Sequence, residues 1–197
     1  REDVAESLAR ATGRVFRHNY PSHAAEVLRR GARAGRRLLV TEGLFSMDGD
    51  VAPLAALQDV ACQEGAWLYV DDAHGAFVLG TTGRGSPELE GVPHSAVLYM
   101  ATLGKALGSQ GGFVVGPREV IALLRNRARA FLYTTALACP MAAAALEALA
   151  IVEGDRGPRT RLAQRVQECA ARLPTVLTHY PGALAHLGDR VRSRNAF

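Results

Sequence analysis

One residue type is nearly missing from this 197-residue chain: of its 23 basic side chains, every one is arginine except Lys105. A guanidinium stays protonated and makes no carbonyl nucleophile, whereas a lysine amine with a lowered pKa can form a Schiff base. A single surviving surface lysine is the ordinary alternative, and composition does not separate the two. Lys105 follows Met100, Ala101, Thr102, Leu103 and Gly104 and precedes the glycine-rich run Gly108 to Gly112. Glycines let a backbone come close to a bound group. A phosphate-gripping Walker loop would need glycine at position 99 and Ser or Thr at 106, where the chain carries Tyr99 and Ala106. The three-glycine dinucleotide fingerprint is missing too, so nucleotide triphosphates and dinucleotides lose most of their support.

A second group is Asp71, Asp72, Ala73 and His74, at the end of the hydrophobic run Trp67 to Val70. Ligands of open α/β sheets bind just beyond the carboxyl ends of strands. There a carboxylate could hold a positive ring nitrogen and a histidine three residues on could meet the same ligand. An Asp that caps the next segment with a His packed against it is an equally ordinary reading. A third group is Thr41 to Asp50, which includes Ser46; Asp48 and Asp50 hint at calcium, but no EF-hand ligand ladder or closing Glu follows. Last come Tyr133, Thr134 and Thr135, whose two threonine hydroxyls precede Pro140 and suit phosphate contact and helix capping equally.

The elements that must carry these residues alternate between short β-branched or aromatic runs and helical patterns, the mark of an α/β fold with a mostly parallel sheet. Strands are expected at 38–41, 67–70, 96–100 and 113–115, with a fifth at 131–134. Pro53 opens a helix with Leu54, Leu57, Val60 and Ala61 on one face, stopped by Gly65. Pro117 opens a second with Val120, Leu123 and Leu124 inward, and Pro140 an alanine-rich third ending near Gly154. After Pro158, Leu162, Val166, Cys169 and Leu173 recur at three and four, predicting an amphipathic helix up to Pro174. The stretch Gly154 to Pro158 is the one linker-like segment, and the arginine-rich tail beyond Pro174 is weakly patterned.

Composition narrows the class. At 48% hydrophobic and 21% charged residues the chain is an ordinary globular one. No apolar run reaches the ~20 residues that span a bilayer, and no leader pattern opens the chain, so a cytoplasmic protein is expected. The net charge of +4 is spread over helical faces without aromatic interleaving, which argues against nucleic acid. Cys62, Cys139 and Cys169 are far apart and odd in number, fitting buried reduced thiols better than disulfides or a zinc site. No metal is expected.

Five segments in order resemble the α-oxoamine synthases, a branch of the fold-type I pyridoxal-phosphate enzymes. They are Phe16 to Asn19, Glu42 to Leu54 (EGLFSMDGDVAPL), Asp71 to Gly85 (DDAHGAFVLGTTGRG), Thr102 to Gly112 (TLGKALGSQGG) and Phe131 to Pro140 (FLYTTALACP). The likeness covers Val15 to Val152. It implies a partial large domain at 1–152 with helices on both faces of the sheet, and at 153–197 the start of a truncated or divergent small domain. It further implies pyridoxal 5'-phosphate as cofactor, with Lys105 as its Schiff-base lysine and shuttle of the substrate's α-proton, and Asp71 paired with the pyridine nitrogen.

By the same resemblance His74 and Ser46 lie near the ring's phenolic oxygen and Thr102 helps hold the phosphate. Thr134 and Thr135 reach the phosphate of a neighbouring subunit, implying a homodimer with shared sites. The family reaction condenses a small amino acid with an acyl-CoA or acyl-carrier-protein thioester and releases carbon dioxide. The segments MDGDVAPL, DDAHG and TLGKALGSQGGF stand nearest the branch that uses L-alanine and a pimeloyl thioester, ahead of the one that acetylates glycine. Complete members are considerably longer and carry a glycine-containing phosphate loop and a ring-stacking histidine not found here. The chain alone is therefore expected to bind the cofactor weakly and to be inactive.

Overall fold

The computed structural model describes residues 13–31 and 35–172. Its centre is one four-stranded sheet, made of β1 Leu38–Glu42, β2 Trp67–Asp71, β3 Leu98–Thr102 and β4 Gly112–Val115, in that spatial order. The first three strands run parallel and β4 returns antiparallel to β3. The helices are α1 Pro21–Arg30, α2 Leu54–Gln63, α3 Ser86–Glu90, α4 Arg118–Arg127, α5 Arg129–Leu132, α6 Cys139–Gly154 and α7 Gly157–Arg172. The mostly parallel α/β class read from the residues therefore holds.

The period-2 alternation of the strands divides the sheet into two faces. Thr41, Val70, Tyr99 and Val115 share one register row, and Leu39, Leu68 and Ala101 lie on the same face. On β1 to β3 this face is buried against Ala24 and Leu28 of α1 and Leu54, Leu57 and Ala61 of α2, while Val115 on β4 stays about half exposed. Leu57 is wholly buried, and removing such a side chain from water stabilises the fold by about 1.5–3 kcal/mol. Pro53 stands at the start of α2, and after it Gly65 takes φ +60°, a left-handed turn suited to glycine, which feeds the chain into β2. The opposite face leaves Leu38, Val40 and Trp67 about half exposed. No helix among the described residues is long and apolar enough to cross a membrane.

Several expectations need correction. The apolar run 131–134 is not a strand: α5 occupies Arg129–Leu132, the Tyr133 amide donates to Arg129 O at 3.0 Å, and Phe131 and Tyr133 are exposed. A run with no ladder beside it satisfies its amides locally instead. On α4, Leu123 and Leu124 are exposed rather than inward. On α7 the buried residues are Arg159 and Ala163, while Leu162 is exposed. The third strand starts two residues late because His94–Ala96 form a 3₁₀ turn. All three cysteines are free, as expected, but exposed; Cys62 faces Gln58, whose amide lies 3.2 Å from Sγ. Helices α1 and α3 were not foreseen. Leu173, Pro174, the tail and the first twelve residues lie outside the described residues.

Candidate functional site

The carboxyl ends of β1, β2 and β3 lie side by side, and the residues singled out above cluster there. Asp71 closes β2 opposite Glu42 of β1 and Met100 of β3, and Thr102 stands two residues beyond Met100, so Asp71 and Thr102 share the less covered face. The Asp71 carbonyl accepts the Gly43 N–H at 2.8 Å, which staples the exit of β1 to the exit of β2. Its carboxylate accepts one hydrogen bond, from Ala73 N–H to Oδ1 at 3.1 Å, and Oδ2 takes none from a described residue. Tyr69 stands on the same face, and burial followed by the Asp71 charge raises its phenol above the usual range.

Lys105 lies three residues past β3, exposed, on a loop that β4 closes. Thr102 Oγ1 accepts Gly104 N–H at 3.1 Å and donates to Gly111 O at 3.0 Å. Leu103 N–H donates to the same Gly111 O at 2.9 Å, and Ser109 N–H donates to Leu103 O at 2.9 Å. The Thr102 hydroxyl thus knots the lysine loop at its base. Ser109 Oγ donates to Met141 O at 2.6 Å, tying the loop to α6.

Ser46 is exposed, four residues past β1, with its amide donating to Glu42 Oε2 at 3.0 Å. The far end of its segment is held by Asp50, whose carboxylate meets His18 Nε2 at 2.8 Å and Asn19 Nδ2 at 2.7 Å. The His18 ring packs on Phe45 at 4.3 Å, and a ligand atom of Asp48 lies within 4.8 Å of those of His18 and Asp50. His74 is half buried in the turn after β2, and its imidazole bonds no described residue. Thr134 and Thr135 are exposed between α5 and α6, the Thr134 hydroxyl being bonded to Ala130 O. Ser46, Asp71, His74, Thr102 and Lys105 thus all lie at or just past the carboxyl ends of three adjacent strands, and Leu137, two residues past Thr135, lies beside Gly111 of the lysine loop.

Two features escaped sequence reasoning. Asp72 is fully buried and accepts Ser86 N–H at 2.8 Å, Ser86 Oγ–H at 2.5 Å and Tyr99 O–H at 2.9 Å. Burial raises its pKa, outweighing the hydrogen bonds from Ser86 and Tyr99 that pull it down. Glu88 collects the Thr81 hydroxyl and the amides of Thr82 and Arg84. Partial burial opposes its charge, but these donors win and hold its carboxyl below the usual range. Gly80, Gly83 and Gly85, all at positive φ, were the available sign of so tight a loop.

The donor set suits an aldehyde-bearing, cationic heteroaromatic ring: a carboxylate with a free oxygen, an imidazole and hydroxyl nearby, and an exposed amine on the next strand's exit.

Comparison with known proteins agrees. The family profile described as Aminotransferase class I and II matches residues 6–187. The chain is 46% identical over 176 residues to the 8-amino-7-oxononanoate synthase of Geobacter metallireducens, covering 86% of this chain and 45% of that one. It is 47% identical over 169 residues to the enzyme of the same name from Anaeromyxobacter dehalogenans, covering 84% and 42%. Among solved structures it is similar to a serine palmitoyltransferase from S. paucimobilis, with TM-score 0.76 and 30% identity over 81% of this chain and 42% of that one. A second is 8-amino-7-oxononanoate synthase from Francisella tularensis, with TM-score 0.68 and 30% identity over 84% and 48%. The chain spans less than half the length of these relatives.

Proposed function

Since the chain belongs to the aminotransferase class I and II family, we propose that it is the cofactor-binding part of a pyridoxal-phosphate acyltransferase of the α-oxoamine synthase branch. The intact protein condenses L-alanine with pimeloyl-CoA, or the acyl-carrier-protein thioester, to 8-amino-7-oxononanoate, releasing carbon dioxide and the thiol in biotin synthesis. The observation that carries this reading is the placement of Asp71, with one carboxylate oxygen unclaimed, on the strand next to the one that delivers Lys105. The relatives' shared name supplies the product, and the substrates are those the family resemblance implies.

When bound, pyridoxal phosphate supplies an electrophilic aldehyde and an electron-withdrawing pyridinium ring. Asp71 keeps the ring nitrogen protonated through a charge-assisted hydrogen bond, since a nearby anion favours the cationic form. His74 and Ser46 orient the phenolic oxygen. Lys105 would hold the aldehyde end of the cofactor, and its amine would carry the proton at the substrate's Cα. Thr102 contributes chiefly by fastening the loop on which Lys105 rides. Residues 1–152 act as the partial large domain and 153–197 as the start of the small one. Thr134 and Thr135, both exposed, serve the site of a second subunit in a cytoplasmic homodimer.

Mixing the chain with pyridoxal phosphate is the test. A visible absorption band that is lost in Lys105→Ala is expected, and identical spectra for the two proteins would overturn the reading. A second reading, a serine-using synthase with a longer acyl chain, is favoured by the likeness to serine palmitoyltransferase. Supplying the full-length parent with alanine or serine and the two thioesters separates them.

A further inference from the structure

Asp72 adjoins Asp71 in sequence, yet the strand's alternation sends it to the opposite, buried face, where it is 0% exposed. An ionisable group taken out of water is costly unless its lone pairs are met, and an apolar residue would fill the same space at less cost. Here the fold is shaped around the carboxylate. Three donors meet it, two from Ser86 and one from Tyr99. Three glycines from separate segments crowd it: a Cβ at Gly43, Gly75 or Gly85 would collide with its carboxylate oxygens. Gly43 leads from β1 toward Ser46, Gly75 directly follows His74, and Gly85, at φ +87°, precedes α3.

We propose that Asp72 is the positioning residue of the site, clamping the exits of β1 and β2 and the start of α3 so that Ser46, Asp71 and His74 address one ligand. This rests on the assignment of those three residues to the cofactor. The two aspartates share a peptide link, so any pivot of residue 72 swings the free Oδ2 of Asp71. Oδ1 accepts the Ser86 hydroxyl, and Oδ2 accepts both the Ser86 N–H and the Tyr99 hydroxyl. Asp72→Asn removes the charge from all three hydrogen bonds and sets an NH₂ against the Ser86 hydroxyl, which must then accept instead of donate.

Two measurements on the full chain test this. Without cofactor, Asp72→Asn is expected to speed amide exchange at Ser46 and Ala73 by about tenfold, the loss that follows from turning charged hydrogen bonds into neutral ones. Neither amide donates to Asp72 itself, and Ser46 reports the clamp from a separate segment. Amides of the β1–β2 ladder should stay as protected as before. Unchanged exchange at Ser46 and Ala73, or an equal rise across the ladder, would overturn the proposal.

With pyridoxal phosphate, the pH midpoint of the visible band should move in Asp72→Asn, and move less but in the same direction in Ser86→Ala and Tyr99→Phe. A midpoint shared by all four proteins overturns it. If Asp72→Asn does not fold, the two single-donor variants carry both measurements. Absence of any band in the unaltered chain would refute the cofactor reading, while the exchange experiment would still decide the clamp.

Discussion

Tyr99→Phe removes one oxygen and leaves the ring packed between His94, 5.0 Å away, and Phe113, 6.4 Å away. The lost oxygen donates to Asp72 at 2.9 Å, and both residues are buried. Burial, then the charge and hydrogen bond of Asp72, keep the phenol protonated far above the ordinary tyrosine range, so it is a donor at every working pH. A buried hydrogen bond to a charged group contributes about 1.5–3 kcal/mol, and the remaining void is smaller than a methyl group. In urea that corresponds to a midpoint lower by roughly 1 M at unchanged slope.

The cost should shrink on acidification. Asp72 is raised in the fold, so its protonated form favours folding below the usual carboxylate range, and that contribution is lost as pH rises through the folded value. Once protonated, Asp72 makes only a neutral bond with the phenol, worth about 0.5–1.5 kcal/mol. A Tyr99→Phe variant as stable as its parent at neutral pH, or one whose cost is the same at acid pH, would refute the reasoning.

Leu57→Ala, at a wholly buried position, is expected to cost about 2–5 kcal/mol in urea melts. Gly85→Ala places a Cβ against Asp72 at positive φ, and a loss of roughly 2–4 kcal/mol with a lower melting temperature is expected. Asp71→Asn should weaken pyridoxal phosphate retention about 10–100-fold in a spectral titration, with little change in the melt. Glu88 is lowered in the fold, so its contribution is present above the ordinary glutamate range and is lost as pH falls through the folded value. On acidification the amides of Thr82 and Arg84 should lose exchange protection early, and Glu88→Gln should already lack it at neutral pH.

What the residues announced in advance was whatever local pattern encodes. Strand runs ending at Glu42, Asp71 and Thr102, and helices opened by Pro53, Pro117 and Pro140, are punctuated within a few residues, and the structure places them within about two positions of expectation. The failures were of partnership. Phe131 to Thr134 has strand composition but no ladder to join, and the outward Leu123 and Leu124 have a helical period but no facing surface among the described residues. Helix α1 was hidden by its arginine-rich polar face, although Pro21, Ala24, Ala25 and Leu28 carry its start and its buried stripe. At the site, Lys105, Asp71 and His74 stood out by type and position. Asp72 was grouped with them, but its buried role was not legible, because its partners Ser86 and Tyr99 lie 14 and 27 residues away and meet it only after the sheet has formed.

The half-exposed face of the sheet holds Trp67, the chain's single tryptophan. That gives the molecule a built-in optical gauge. Emission from one indole, starting at the red end typical of a wet ring, will slide toward the blue and resist acrylamide quenching whenever another surface settles over β1 and β2.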